Sequence, residues 1–85
     1  MLKIKLSEPV KIDGILVHEL SLRHPKVKDR LAVERMGTND AEKEVALIAN
    51  LAGVAREAIE ELSLVDYNKA QEALKDFLSQ SMQQT

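Results

Sequence analysis

Residues 2–23 read LKIKLSEPVKIDGILVHELSLR, and this stretch decides the fold of the chain. Apolar residues alternate with lysines over 2–6, which is the period of a strand with one buried face. Apolar residues resume after Asp13-Gly14, a dipeptide that favours a two-residue hairpin turn. From Pro25 onward the apolar period lengthens to that of a helix. The sequence therefore predicts an α+β fold, an N-terminal antiparallel β-hairpin followed by three to four α-helices.

The register of this hairpin requires an irregularity in its first strand. A two-residue turn pairs Val10 with Val17. Continuing the same ladder puts Leu6 opposite Ser21, which moves the apolar side chains of the two strands to opposite faces. One extra residue in a bulge near Pro9 restores a common apolar face. Proline suits that position because it has no N–H to donate to the ladder.

Turn and capping residues divide the rest of the chain into helices. The first is expected from Pro25, as its first residue, to about residue 36, with Gly37 as its stop. It is expected to be a surface helix with a narrow apolar side, formed by Val27, Leu31 and either Val33 or Met36. The last helix is expected over 64–79, with Ser63 and Asp66 as a capping-box-like start. Residues 1–79 are then one domain, and 80–85 are a flexible tail.

The helix expected over 40–52 is the most apolar one. Asn39 caps its start, Gly53 ends it, and a short helix over 55–62 follows. Its apolar arc is wider than one core contact requires. Either the hairpin and the last helix cover it from both sides, or part of it is exposed and binds a hydrophobic partner. The residues predicted to bind a partner are Leu47, Ile48, Leu51 and Val54, together with Arg23 at the end of the hairpin.

Composition excludes several classes of protein. The 85 residues include no cysteine and carry a net charge of −2. No nucleophile, base and orienting group come together, so no enzymatic activity, catalytic residue, metal site or cofactor is expected. His18 and His24 would lie roughly 20 Å apart on an extended chain, too far to share an ion. A single tyrosine and a single phenylalanine cannot form a base-stacking platform, so nucleic-acid binding is not expected. No stretch predicts a signal peptide or a membrane span, and we expect a soluble cytoplasmic protein.

The charge is divided unevenly between the two halves. Residues 1–36 hold eight Lys/Arg against five Asp/Glu, a net of +3, and residues 37–85 hold four against nine, a net of −5. Opposite charges on separate faces favour self-association that weakens with salt.

In the order of its elements the chain resembles the small tail assembly chaperones of contractile-tailed bacteriophages. The segments that carry the resemblance are IKLSEPV at 4–10, LSLRHPKVKD at 20–29, LIANLAGV at 47–54 and IEELSLVDY at 59–67. They extend over most of the chain, and only the segment after Phe77 has no counterpart.

The resemblance implies a partner and a place of action. Such a protein coats the long, helical tape measure protein and keeps it soluble until the tail tube polymerises. It works in the cytoplasm of the bacterial host and is absent from the mature virion. A longer product of the same gene, made by ribosomal slippage, is a possible further partner. The alternative is a structural or regulatory homo-oligomer of prophage origin with no chaperone role, in which the apolar helix forms the subunit interface.

Overall fold

A computed structural model describes the backbone of residues 2–35 and 39–82, and the side chains of these residues as far as Leu78. The two strands pair as an antiparallel hairpin, and four helices follow them. This architecture confirms the predicted α+β fold. The elements are β1 (Leu2–Ile12), β2 (Ile15–Leu22), α1 (Val27–Glu34), α2 (Asp40–Ala52), α3 (Arg56–Glu60) and α4 (Leu64–Met82).

The hairpin has the predicted turn and a larger irregularity than predicted. Asp13 and Gly14 both adopt positive φ, at 53° and 80°, as a tight hairpin turn requires. Between the pair Lys5–Glu19 and the pair Val10–Val17, four residues of β1 lie opposite one residue of β2. The prediction of a single extra residue was wrong, because β1 has three extra residues in this region. An odd number of extra residues still brings the apolar side chains of both strands to one face of the hairpin. The predicted bulge near Pro9 is therefore confirmed, both in its position and in its effect on the register.

One hydrophobic core joins the hairpin to the helices. The inner face of the hairpin packs against α2 on one side, and β1 also contacts α3 and α4. α2 contacts α1, α3 and β2, so it is the central helix of the domain. The core residues with the least exposure come from both strands and from α2, α3 and α4, and are Ile4, Val10, Leu20, Leu22, Ile48, Ala49, Leu51, Ile59, Ala70 and Ala73.

Helix α1 differs from its prediction in both boundaries and orientation. Pro25 is not its first residue, since α1 begins at Val27 with Lys26 as the N-cap. Val33 is buried, but Val27 and Leu31, which were expected on the same apolar side, are exposed. The reason is a buried polar side chain on this helix. Asp29 is almost fully buried, and it turns the helix so that residues 29 and 33 face the domain.

The remaining helix ends follow from capping residues. Asn39 Oδ1 accepts a hydrogen bond from the Glu42 amide at 2.9 Å, and Gly53 ends α2 with φ of 70°, as predicted. α3 is shorter than the expected 55–62. α4 continues to Met82, through the first residues of the expected tail. The expected stop at Gly37 and the last part of the tail, 83–85, lie outside the described residues.

Candidate partner-binding site

Four of the five residues predicted to bind a partner lie on α2 or directly after it, and two of them are buried. Ile48 is fully buried and Leu51 is 2% exposed. Leu47 and Val54 are half-buried and pack against the core cluster. Of the residues predicted to bind a partner, Ile48 and Leu51 are therefore inaccessible, whereas Leu47 and Val54 keep part of their surface exposed. Neighbouring elements cover the wide apolar arc of α2 from several sides. The hairpin covers one side, as in the first of the two interpretations, but the other main contacts come from α1 and α3 and not from the last helix.

Arg23, the fifth predicted residue, forms a junction between three elements. Its backbone N–H donates to the Leu51 carbonyl oxygen at 3.1 Å, which joins the end of β2 to α2. Its guanidinium donates to both carboxylate oxygens of Asp29, at 2.8 and 2.6 Å. This bidentate pair lowers the pKa of Asp29 to about 2, against the opposing effect of burial. In the isolated chain Arg23 thus positions α1.

Near the tip of the hairpin, β1 and the α2–α3 turn leave a groove between them. It encloses about 370 Å³ and is lined by Lys11, Ile12, Asp13, Gly53, Val54, Ala55, Glu57, Ala58 and Glu61. Its apolar lining comes from Ile12, Val54 and the two alanines, and charged residues surround it. A concave apolar surface with a polar rim is the usual form of a binding site. Of the predicted residues, only Val54 lines this groove, which we call the hairpin groove.

Ile15 does not line the hairpin groove, but it lies next to Ile12, which does. It pairs directly with Ile12 across the hairpin, so the two side chains lie on the same face of the ribbon. Ile12 packs against the core, whereas Ile15 is 67% exposed. Sequence reasoning missed both residues, because it treated the flanks of the Asp13-Gly14 turn only as strand. The sequence did contain one signal for this surface. Two isoleucines flank the turn at the tip of the hairpin, where apolar side chains are not needed to form the core.

The rim of the hairpin groove is mainly acidic. Asp13, Glu57 and Glu61 contribute three carboxylates against the ammonium of Lys11. A partner that enters the groove should therefore combine apolar side chains with flanking cations. An amphipathic helix with lysine or arginine beside its apolar stripe has this chemistry.

A buried carboxylate fixes the hairpin against the last helix. Asp66 is fully buried, and its two oxygens accept the backbone N–H groups of Ser7 at 2.8 Å and Glu8 at 3.2 Å. The Lys69 ammonium lies 3.4 Å from one of these oxygens. The amide bonds, more than any other interaction, hold the pKa of Asp66 well below its usual range, although burial opposes them. The bulge therefore has a function, since it directs two amides that the ladder does not use toward this carboxylate.

Sequence reasoning assigned Asp66 only to the start of the last helix. That assignment describes the backbone amide of Asp66 but not its carboxylate. The Asp66 amide does donate to Ser63 Oγ at 3.2 Å, as in a helix cap. Its carboxylate, however, bonds to β1 almost sixty residues away in the chain. A Ser-x-x-Asp pattern gives no sign of such a distant partner.

The described residues contain no group of three or more His, Cys, Asp or Glu side chains arranged to hold a metal ion. His24 instead packs its ring against Phe77, with ring centroids 4.5 Å apart. Within the same described part of the chain, no helix combines the length and the hydropathy that crossing a bilayer requires.

Comparison with known proteins assigns the family. The searches of curated proteins and of solved structures gave no match. A family model described as "Phage tail assembly chaperone proteins, E, or 41 or 14" matches residues 3–79. The match includes all of β2, α1, α2 and α3 and most of β1 and α4, and it confirms the resemblance drawn from the sequence. The chain therefore belongs to the phage tail assembly chaperone family.

Proposed function

We propose that this chaperone binds the tape measure protein and keeps it soluble until the tail tube polymerises. The observation that carries the proposal is the hairpin groove, whose small apolar lining lies within a charged rim, with Ile15 exposed beside it. Membership of the family supplies the process, phage tail assembly. The groove supplies a surface of suitable chemistry for one partner in that process.

The physical requirements of the task agree with this surface. A long helix with an apolar stripe aggregates when it is alone, so its chaperone must cover apolar side chains and later release them. An open groove with one or two aliphatic anchors gives modest affinity for each copy. Many copies along one tape measure then give strong overall binding that is still reversible. Binding and release of this kind take place in the host cytoplasm and leave no chaperone in the mature virion.

Co-expression with a tape measure fragment tests the proposal. The unchanged chain should keep the fragment in the soluble fraction, and Ile15→Asp should lose this rescue. A buried anchor contributes about 2 kcal/mol or more to binding, which corresponds to a loss of affinity of roughly thirtyfold. Leu16→Asp is the matched control. Leu16 is 56% exposed and adjacent in sequence, but successive strand residues point to opposite faces, so its change should leave rescue intact.

Two outcomes would contradict the proposal. If the unchanged chain does not keep the fragment soluble, the alternative of a structural or regulatory homo-oligomer is favoured. If Ile15→Asp and Leu16→Asp rescue equally well, the tape measure binds outside the hairpin groove. Circular dichroism of both variants should confirm that they are folded.

A further inference from the structure

The two walls of the hairpin groove differ in charge. One wall is formed by α3 and the residue that ends it, and it carries the exposed carboxylates of Glu57 and Glu61. Among the described residues that line this wall there is no lysine or arginine. The hairpin wall carries Lys11 and Asp13, whose formal charges cancel. The rim is therefore acidic on one side only.

Helix geometry aligns the two glutamates of the α3 wall. The Glu61 amide donates to the Glu57 carbonyl oxygen at 3.2 Å, so the helical turn continues through Glu61. Residues four apart on a helix have Cβ atoms about 5–6 Å from each other on one side of the helix. The two carboxylates thus form a short row. Two cations at positions i and i+4 of a second helix have the same spacing and the opposite charge.

Glu60 marks the limit of this wall. It is exposed and adjacent to Glu61, but it lines a different cavity, of about 340 Å³, between α3 and the first half of α2. Arg56, one turn before Glu60, lines that second cavity as well. Three glutamates of this region look equivalent in sequence, yet only Glu57 and Glu61 face the hairpin groove.

Charge has a large share in what the groove distinguishes, because its apolar lining is small. Ile12 and Val54 are half-buried, and the alanines beside them add little surface. Many helices with an apolar stripe satisfy such a lining equally well. A helix with lysine or arginine on the flank toward α3 forms ion pairs with the wall, whereas glutamate there places like charges against each other.

We infer that Glu57 and Glu61 determine the specificity of the hairpin groove, and that they select tape measure segments with a basic pair at i and i+4 on one flank of the apolar stripe. This role rests on the proposed function, because it concerns the same groove and the same partner. The other flank, toward Lys11 and Asp13, has no charge requirement. A one-sided requirement also fixes the direction of the bound helix, since turning a helix end for end exchanges its two flanks.

Two designed peptides test this selection. Both are alanine-rich amphipathic helices of about 18 residues with the same leucine stripe. One carries lysine at i and i+4 on a single flank, and the other carries glutamate at the same two positions. Fluorescence anisotropy with the full chain at about 50 mM NaCl gives both dissociation constants. The lysine peptide should bind at least about tenfold more tightly, and this ratio should fall toward one at about 500 mM, where salt screens the rim.

Charge variants identify the residues responsible. Glu61→Lys should weaken binding of the lysine peptide about threefold to tenfold, whereas Glu60→Lys should change it less than about twofold. These two substitutions make the same change in net charge at adjacent positions, so their difference measures the wall and not the charge of the whole protein. Glu57→Lys combined with Glu61→Lys should reverse the preference between the peptides. Glu57→Gln combined with Glu61→Gln should abolish the preference without reversing it, and it places no lysine at the start of a short helix.

A nitroxide label measures the direction of the bound helix. On the N-terminus of the lysine peptide, the label should broaden the amide signals at one end of the groove. On the C-terminus, it should broaden those at the other end. Equal broadening at both ends from either label would show binding in both directions and would contradict a one-sided rim.

Three further results would overturn the selection. The first is equal binding of the two peptides by the unchanged chain at low salt. The second is equal weakening by folded Glu60→Lys and Glu61→Lys chains, which would assign the effect to net charge. The third is no binding of either peptide.

The rescue experiment with Ile15→Asp and Leu16→Asp decides the proposed function separately. A chain that rescues the tape measure fragment but does not distinguish the peptides keeps the chaperone function and loses the charge selection. A chain that distinguishes the peptides but rescues no fragment keeps the charge selection of the groove and loses the tape measure as its partner.

Discussion

Replacing Leu51 by Ala should destabilise the protein strongly, although the sequence suggested that this leucine is free to bind a partner. Leu51 is 2% exposed and lies in the centre of the core, between the hairpin and the helices. Truncation of a buried leucine to alanine costs about 2–5 kcal/mol, from lost burial and from the cavity left behind. A chain of this length has a total stability of about 4–13 kcal/mol. The substitution therefore removes a large part of the stability.

The same reasoning predicts a different result at the tip of the hairpin. Ile15 is 67% exposed, so Ile15→Asp loses little more than a cross-strand contact, at a cost of less than about 1 kcal/mol. For a domain of this size, 1 kcal/mol shifts Tm by roughly 4–8 °C. The Leu51→Ala variant should thus melt at least about 8 °C below the unchanged chain. Leu51→Asp should fail to fold, because it adds an unpaired buried charge.

Urea unfolding followed by far-UV circular dichroism measures these free energies directly. The unchanged chain, Leu51→Ala and Ile15→Asp should be compared at one protein concentration, low enough to limit self-association. A cost below about 1 kcal/mol for Leu51→Ala would refute the central position of α2. Leu51 would then again be a candidate for binding the tape measure.

Two further predictions concern individual interactions. Stability should fall as the pH decreases from the ordinary carboxyl pKa of 3.8 toward about 2, because Asp29 and Asp66 have lowered pKa values in the folded state and lose their bonds when they are protonated. Urea midpoints across this range should show the fall, Asp66→Asn should reduce its slope, and a flat profile would contradict the buried carboxylate bonds. Gly53→Ala should lower stability by about 1 kcal/mol through backbone strain at φ of 70°, since the space around a new Cβ is open. A thermal melt measures this, and an unchanged Tm would argue against the left-handed end of α2.

The sequence by itself determined the class of fold and most of its boundaries. Strand period, the Asp13-Gly14 turn and the proline in β1 predicted a bulged hairpin. Asn39 and Gly53 bounded α2 correctly. These features act through local geometry, the pleat, the turn dihedrals and the caps, so residues close in the chain are sufficient to specify them. The family resemblance depends on the order of the same local elements.

The tertiary structure alone decided which apolar surfaces are free. Leu51 and Leu31 look alike in sequence, as leucines on amphipathic helices, yet one is buried and the other is exposed. A partly buried salt bridge between Arg23 and Asp29 sets the rotation of α1, and Asp66 bonds to amides almost sixty residues away. Hydrophobic burial is not directional, so a helical pattern shows that a face can be buried but not which neighbour covers it. Directional polar contacts between distant residues make that choice, and they arise only when the chain is folded.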